Sequence, residues 1–264
     1  MSKPAAPAEA AKPLALTAPV AVFFLLMLDS LHFVFALLLR NENLHPSNSA
    51  FWVLALATVE TAVFLIARRQ ARLAVLRQHL GFFVTVGILV AVDTNLSYYS
   101  VTFIAPGTAS LLSKSDVIFL LALSFLWLGE RFAPKQWVGA LLALSGAFII
   151  SFQPGDFFRL GSLIVLGAAF CYSLHTAVVK RYGGDIDFPN FFLFRVASTS
   201  FFLLLIAAGW GQLSLPPTGQ AWLLLLVAGT MDVVISRTLY YWVLRRFNMS
   251  VHSIILTLSP VMAI

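Results

Sequence analysis

Residues 105–150, APGTASLLSKSDVIFLLALSFLWLGERFAPKQWVGALLALSGAFII, hold two apolar spans joined by the short polar turn Gly129-Glu130-Arg131-Phe132-Ala133-Pro134-Lys135. A helix crosses the hydrocarbon core in about 20 residues, so an apolar hairpin of this length belongs in lipid. Its first span also carries Lys114 and Asp116 at membrane depth. A charge there costs roughly 2.5–3.5 kcal/mol on insertion scales, so it faces protein or water. Together these features require a polytopic membrane protein with an ionisable interior.

Composition points the same way. Of the 264 residues, 60% are hydrophobic and 11% are charged, with a mean hydropathy of +0.90. A soluble domain carries about 25% charged residues. The net charge of +6 does not imply nucleic acid, because the basic residues lie on short loops between apolar runs. Cys171 is the single cysteine, which excludes an intrachain disulfide and a cysteine metal cluster. No metal and no cofactor is expected. Residues 1–17 are rich in Ala and Pro and read as a disordered tail. The next run contains Asp29 and is too long for a signal-peptide core, so it reads as a retained first span.

Apolar runs recur at 18–39, 50–67, 80–103, 106–128, 136–152, 160–179, 190–209, 220–243 and 249–264. The loops after the second, fourth, sixth and eighth runs hold ten Lys and Arg residues, and the tail adds Lys3 and Lys12. The alternate loops hold only Arg40 and Arg159. The positive-inside rule therefore places the N-terminus in the cytoplasm, in what is expected to be a bacterial plasma membrane. The ninth run reaches Ile264 without a polar flank, so the chain is expected to lack one final span, roughly 30–40 residues with its turn.

An internal repeat supports this count. Tyr98-Tyr99-Ser100-Val101 resembles Tyr240-Tyr241-Trp242-Val243, with Gly87 matching Gly229 in the same register. After a two-residue insertion, Ser115-Asp116-Val117 lines up with Ser259-Pro260-Val261. Spans three and four thus correspond to eight and nine, and the unit has five spans. An odd-numbered unit enters the membrane in opposite senses in its two copies, the arrangement of many secondary transporters.

At this point a family resemblance becomes specific. Ala105-Pro106-Gly107-Thr108-Ala109, Leu128-Gly129-Glu130-Arg131, and Trp137-Val138-Gly139-Ala140 with Gly146 resemble the fourth and fifth spans of the drug/metabolite transporter superfamily, EamA type. Residues 255–262, ILTLSPVM, resemble the same element in a second repeat. The resemblance implies an all-α protein of ten helices in two inverted five-helix repeats, here 18–152 and a truncated 160–264. It also implies alternating access and transport of small organic metabolites. The family often has proline where this chain has Asp116; Pro260 keeps it in the second copy.

Asp29, Glu60, Asp93, Lys114, Asp116, Asp232 and Arg237 fall within spans, with Arg195 near the start of span seven. Facing lipid, they would together cost on the order of 20 kcal/mol, so they pair, neutralise or line an aqueous cavity. Lys114 and Asp116 point about 200° apart at 3.6 residues per turn and cannot pair compactly with each other; Asp93 or Asp232 is the expected partner of Lys114. Asp232 and Arg237, five apart, face differently. Asp93 sits in the polar run Val92-Asp93-Thr94-Asn95-Leu96-Ser97-Tyr98, where Asn95 and Tyr98 share a helix face. Asp29 and His32 also share a face, although a buried histidine is more often a hydrogen-bonded packing residue. The substrate or proton pathway is accordingly assigned to Asp29, Asp93, Asn95, Tyr98, Lys114, Asp116, Asp232 and Arg237. Glu60 and Arg195 are expected to be structural. Tyr99, Tyr240 and Tyr241 are expected in an interfacial belt. Gly139, Ala143 and Ala147 form a small-residue packing stripe.

These features favour a secondary transporter of a small organic metabolite, amino-acid-like or an organic anion, for export or uptake, coupled to protons or working by exchange. No Walker A motif offers an ATP engine. A membrane-embedded enzyme acting on lipid-linked substrates is the alternative, but neither His-Glu-x-x-His nor Gly-x-Ser-x-Gly occurs. A scaffold has little use for so many charges at depth. The expected partners are a small-molecule substrate and the bilayer, with no nucleic acid; association of copies is left open.

Overall fold

The structure, a computed structural model, describes residues 18–29, 31–130 and 160–256, with Val138, Leu141, Leu142 and Ser145. Among the described residues there is no strand. The helices are α1 (Ala18–Asp29), α2 (His32–Asn41), α3 (Pro46–Ala67), α4 (Leu73–Gln78), α5 (Leu80–Ser100), α6 (Pro106–Ser113) and α7 (Asp116–Leu126). After these come α8 (Leu160–Tyr182), α9 (Phe188–Gly209) and α10 (Gly219–Ala228), then a π-helical segment (Gly229–Ile235), α11 (Ser236–Arg246) and α12 (Met249–Leu256).

Seven stretches are long and apolar enough to cross a membrane: Val20–Asn41, Pro46–Ala67, Leu80–Ser100, Pro106–Leu126, Leu160–Tyr182, Phe188–Gly209 and Gly219–Arg246. They coincide with seven of the runs read from the sequence. Most of the run at 136–152, including Gly139, Ala143 and Ala147, lies outside the described residues, as do residues 1–17 and 257–264.

Local chemistry sets the helix starts. Pro46, Pro106 and Pro189 stand in first turns, where the missing N–H costs nothing and φ is already helical. Asp187 and Thr218 accept hydrogen bonds from the Asn190 and Ala221 amides. At the basic ends, Lys180 donates to the Leu244 and Phe247 carbonyls. Arg245 donates to those of Gly183 and Ile186. These cations thereby satisfy carbonyls at or beyond the helix ends.

Around an apolar core the exterior is also apolar, unlike that of a soluble protein. Phe23, Phe24, Val63, Ile66, Ile118, Leu126, Leu163 and Leu223 are exposed, while Ser173, Thr176, His175, Asn190, Arg195 and Asp232 are buried. Lipid solvates the apolar exterior, leaving polar groups to satisfy one another inside.

Two glycines record close helix crossings. A Cβ on Gly87 would lie 2.6 Å from Ser198 Oγ, so α5 meets α9 there. A Cβ on Gly229 would lie 3.1 Å from the Val53 carbonyl, so the π segment meets α3. Gly87 and Gly229 are the pair matched in the internal repeat. Span three packs on span seven through one, and span eight packs on span two through the other, the same contact with the halves exchanged.

Asn190 clamps the end of the α3–α9 pair. Its Nδ2 donates to the Gln70 carbonyl and its Oδ1 accepts from the Arg72 amide, at 3.0 and 2.8 Å. Asn190→Ala is expected to lower stability by about 1–3 kcal/mol, the cost of leaving buried polar groups without partners. The melting temperature of detergent-purified protein measures it.

Candidate functional site

Three spans lose regular α-helical geometry near mid-depth, and each interruption carries charge. In the first span, α1 ends at Asp29 and α2 starts at His32. In the fourth, the Lys114 and Ser115 amides bond the Leu111 and Leu112 carbonyls, three residues back rather than four. The Ser113 and Ser115 hydroxyls donate to the Ser110 and Leu112 carbonyls, so serines serve the carbonyls that the tightened turn displaces. In the eighth, the segment Gly229–Ile235 is π-helical and contains Asp232. Irregular backbone at membrane depth is tolerated where it is buried in protein or lines a cavity.

The interruptions bring five ionisable side chains into one chain of contacts. Lys114 Nζ donates to Asp29 Oδ2 at 3.0 Å. Arg237 Nη1 reaches Asp29 Oδ1 at 3.4 Å, and its Nη2 lies 3.7 Å from Asp232 Oδ1. His32 Nδ1 hydrogen-bonds Asp232 Oδ2 at 2.7 Å. The Arg237 guanidinium also donates to the Tyr172 hydroxyl at 3.2 Å. All these charged side chains are 15% exposed or less. Each acid has two ionisable partners, although Asp232 Oδ1, 3.7 Å from Arg237, has no hydrogen bond.

Two details correct the expectations. Lys114 pairs with Asp29, not with Asp93 or Asp232. Asp232 and Arg237 do meet, at 3.7 Å: the wider turn of the π segment that holds Asp232 changes the angle at which the following α-helix presents Arg237, which an unbroken α-helix would turn away.

The network borders a cavity of about 60 Å³ lined by Asp29, His32, Asp93, Lys114, Asp116 and Arg237. One water needs at least roughly 10–15 Å³, so this conformation has room for a few waters. Asp93 and Asp116 line the cavity and join no cation among the described residues. Asp93 accepts a long hydrogen bond from Ser97 at 3.4 Å, and Asp116 Oδ1 has no hydrogen-bond partner. A smaller cavity of about 20 Å³ adjoins it, sharing His32, Asp93, Tyr172 and Arg237 and adding Tyr98, Arg195 and Asp232.

Of the eight residues singled out in the sequence, seven line one or both cavities. Asn95 is buried but lines neither. Tyr240 and Tyr241 are fully buried, contrary to an interfacial belt: their hydroxyls meet Thr176 and His175 at 2.8 and 3.0 Å. Tyr99, partly exposed, stacks edge-on against Trp210. Arg195, expected near a surface, is 3% exposed. The helix begins at Phe188, which puts Arg195 about 10 Å inside at 1.5 Å per residue. Tyr172 carries no signal in the sequence beyond its place in the middle of a span. Glu60 lies apart and accepts a hydrogen bond from Thr230 at 3.0 Å.

Comparison with known proteins follows the same lines. Residues 16–152 and 159–264 each match the EamA-like transporter family, giving two repeated units. An uncharacterized transporter of Bacillus subtilis, YdfC, is 28% identical over 163 residues, 61% of this chain and 53% of that protein. A riboflavin transporter of Vibrio cholerae is 36% identical over 114 residues, 42% of this chain and 37% of that one. The pseudopaline exporter CntI of Pseudomonas aeruginosa is 24% identical over 180 residues, 67% and 62% of the two chains. The matched part thus spans between about a third and two thirds of these relatives. One protein crystal structure superposes with a TM-score of 0.74 at 20% identity, covering 93% of this chain and 85% of the other, which establishes likeness of fold.

Proposed function

The chain belongs to the EamA-like transporter family, and from that premise we propose a secondary transporter that moves a small organic metabolite by alternating access. The observation that carries this reading is the buried charge network at three interrupted spans, bordering a cavity between the two halves. The Asp29–Arg237 and His32–Asp232 contacts hold the halves together and can be exchanged for substrate contacts. Asp93 and Asp116 stand outside those pairs, so each can take up or release a proton without breaking one. Coupling runs through these two carboxyls, or the protein works by exchange.

A polar substrate, amino-acid-like or an organic anion, suits the mixed charges. It is in keeping with the riboflavin and pseudopaline named for two relatives. The room for a few waters means that substrate enters only when the halves part. The N-terminus lies in the cytoplasm and the membrane is a bacterial plasma membrane.

Uptake of a labelled metabolite panel into proteoliposomes, with and without a proton gradient, tests the proposal. A saturable signal is expected, abolished by Lys114→Ala or Asp116→Asn. Asp93→Asn is expected to leave counterflow exchange in place while removing acceleration by the gradient. If gradient dependence survives both carboxyl variants, coupling does not run through them. If folded protein moves nothing in the panel, the transporter reading falls in favour of a membrane-embedded enzyme.

A further inference from the structure

The charges of the network are already engaged, which directs attention to donors that are not. Arg195 is 3% exposed and lines the smaller cavity, yet its Nε and Nη1 find no hydrogen-bond partner. Its guanidinium lies 5.4 Å from the centroid of the Tyr241 ring, which holds the planar group by cation–π attraction. Tyr98, 1% exposed, lines the same cavity with its hydroxyl also unpartnered. Buried polar groups are hydrogen-bonded in the great majority of cases. Two such groups on one cavity wall therefore mark a place where something else supplies the acceptors.

The acids on that wall do not supply them. Asp232 Oδ2 takes the His32 hydrogen bond, while its Oδ1, 3.7 Å from Arg237 Nη2, has no hydrogen-bond partner and so accepts from neither Arg195 nor Tyr98; Asp93 accepts from Ser97. The volume of about 20 Å³ is room for a terminal group rather than a whole molecule. A guanidinium presents parallel N–H bonds that match the two oxygens of a carboxylate.

We propose that Arg195, with the Tyr98 hydroxyl, forms a carboxylate-binding subsite in the smaller cavity, opening onto the main cavity through their shared walls. The ligand is a small organic acid or zwitterion whose carboxylate seats on Arg195 and whose remainder extends past Asp93 and Asp116. This assignment rests on the substrate pathway proposed above but is testable as binding alone.

The purified protein in detergent would be titrated with alanine, glutamate and succinate and with their amides, alaninamide, glutamine and succinamide, following thermal stabilisation. At least one acid is expected to bind ten-fold or more tightly than its amide. Arg195→Gln should abolish that preference, Arg195→Lys should restore part of it, and Tyr98→Phe should weaken it severalfold. Monodispersity on gel filtration certifies the variants, and Arg195→Lys carries the test if the glutamine variant does not fold. No preference for acid over amide in the wild type, or a preference unchanged in folded Arg195→Gln or Arg195→Lys, overturns the subsite. Arg195-dependent binding without transport in liposomes keeps the subsite and removes the transporter reading.

Discussion

Replacing Asp29 with alanine is expected to cost about 3–5 kcal/mol of stability, the penalty for removing one member of a buried ion pair. Asp29 is the only contact shared by Lys114 and Arg237 in the network, at 3.0 and 3.4 Å. Without it, Lys114 has no other ion-pair partner among the described residues, and Arg237 keeps Asp232 at 3.7 Å and the Tyr172 hydroxyl at 3.2 Å. The loss should appear as a lower melting temperature of detergent-purified protein, followed by gel filtration after heating. Lys114→Met added to Asp29→Ala is expected to recover part of the loss, since it withdraws the orphaned cation. If Asp29→Ala melts with the wild type, the network is not what joins the first span to the fourth and eighth. A double variant no better than the single would mean that Lys114 finds solvent or another acid once Asp29 is gone.

Gly87→Leu should be comparably damaging for a different reason. A Cβ at Gly87 would meet Ser198 Oγ at 2.6 Å, Ser198 Cβ at 2.9 Å and the Ser198 carbonyl carbon at 3.0 Å. The hydroxyl could rotate away, but the backbone carbon cannot, so α5 and α9 must part. Gly→Ala within a helix gains about 1 kcal/mol of propensity, while overpacking costs about 1–3 kcal/mol or more. Gly87→Ala should therefore come out near neutral or destabilised, and Gly87→Leu clearly destabilised. Gly81, on the same helix with nothing within 4 Å of its Cβ position, is the control: Gly81→Ala is expected to be neutral or stabilising. A Gly87→Leu protein as stable as the wild type would show that this crossing can widen freely.

The two variants probe parts of the molecule that were legible to different degrees. Gly87 and Gly229 stood out through the repeat, yet only their neighbours show why a side chain is excluded. Arg195 lies deeper than an apolar run starting at residue 190 implies, because capping by Asp187 starts the helix at Phe188. General frequency places Tyr240 and Tyr241 in a belt, while Thr176 and His175 from another helix give their hydroxyls buried partners.

Seven spans, their boundaries to within a few residues and the presence of charges at depth can be read from the chain itself. The reason is that a bilayer imposes a local rule: each crossing must supply its own apolar length and its own backbone hydrogen bonds. Which charge meets which could not be read there. The pairs Asp29–Lys114, His32–Asp232 and Asp29–Arg237 join residues 85, 200 and 208 apart, and one π segment is enough to turn Asp232 toward Arg237. Coulomb attraction and hydrogen bonding depend on ångström-scale separation between helices, a quantity set by how the spans pack and interrupt one another, with no counterpart in their order along the chain.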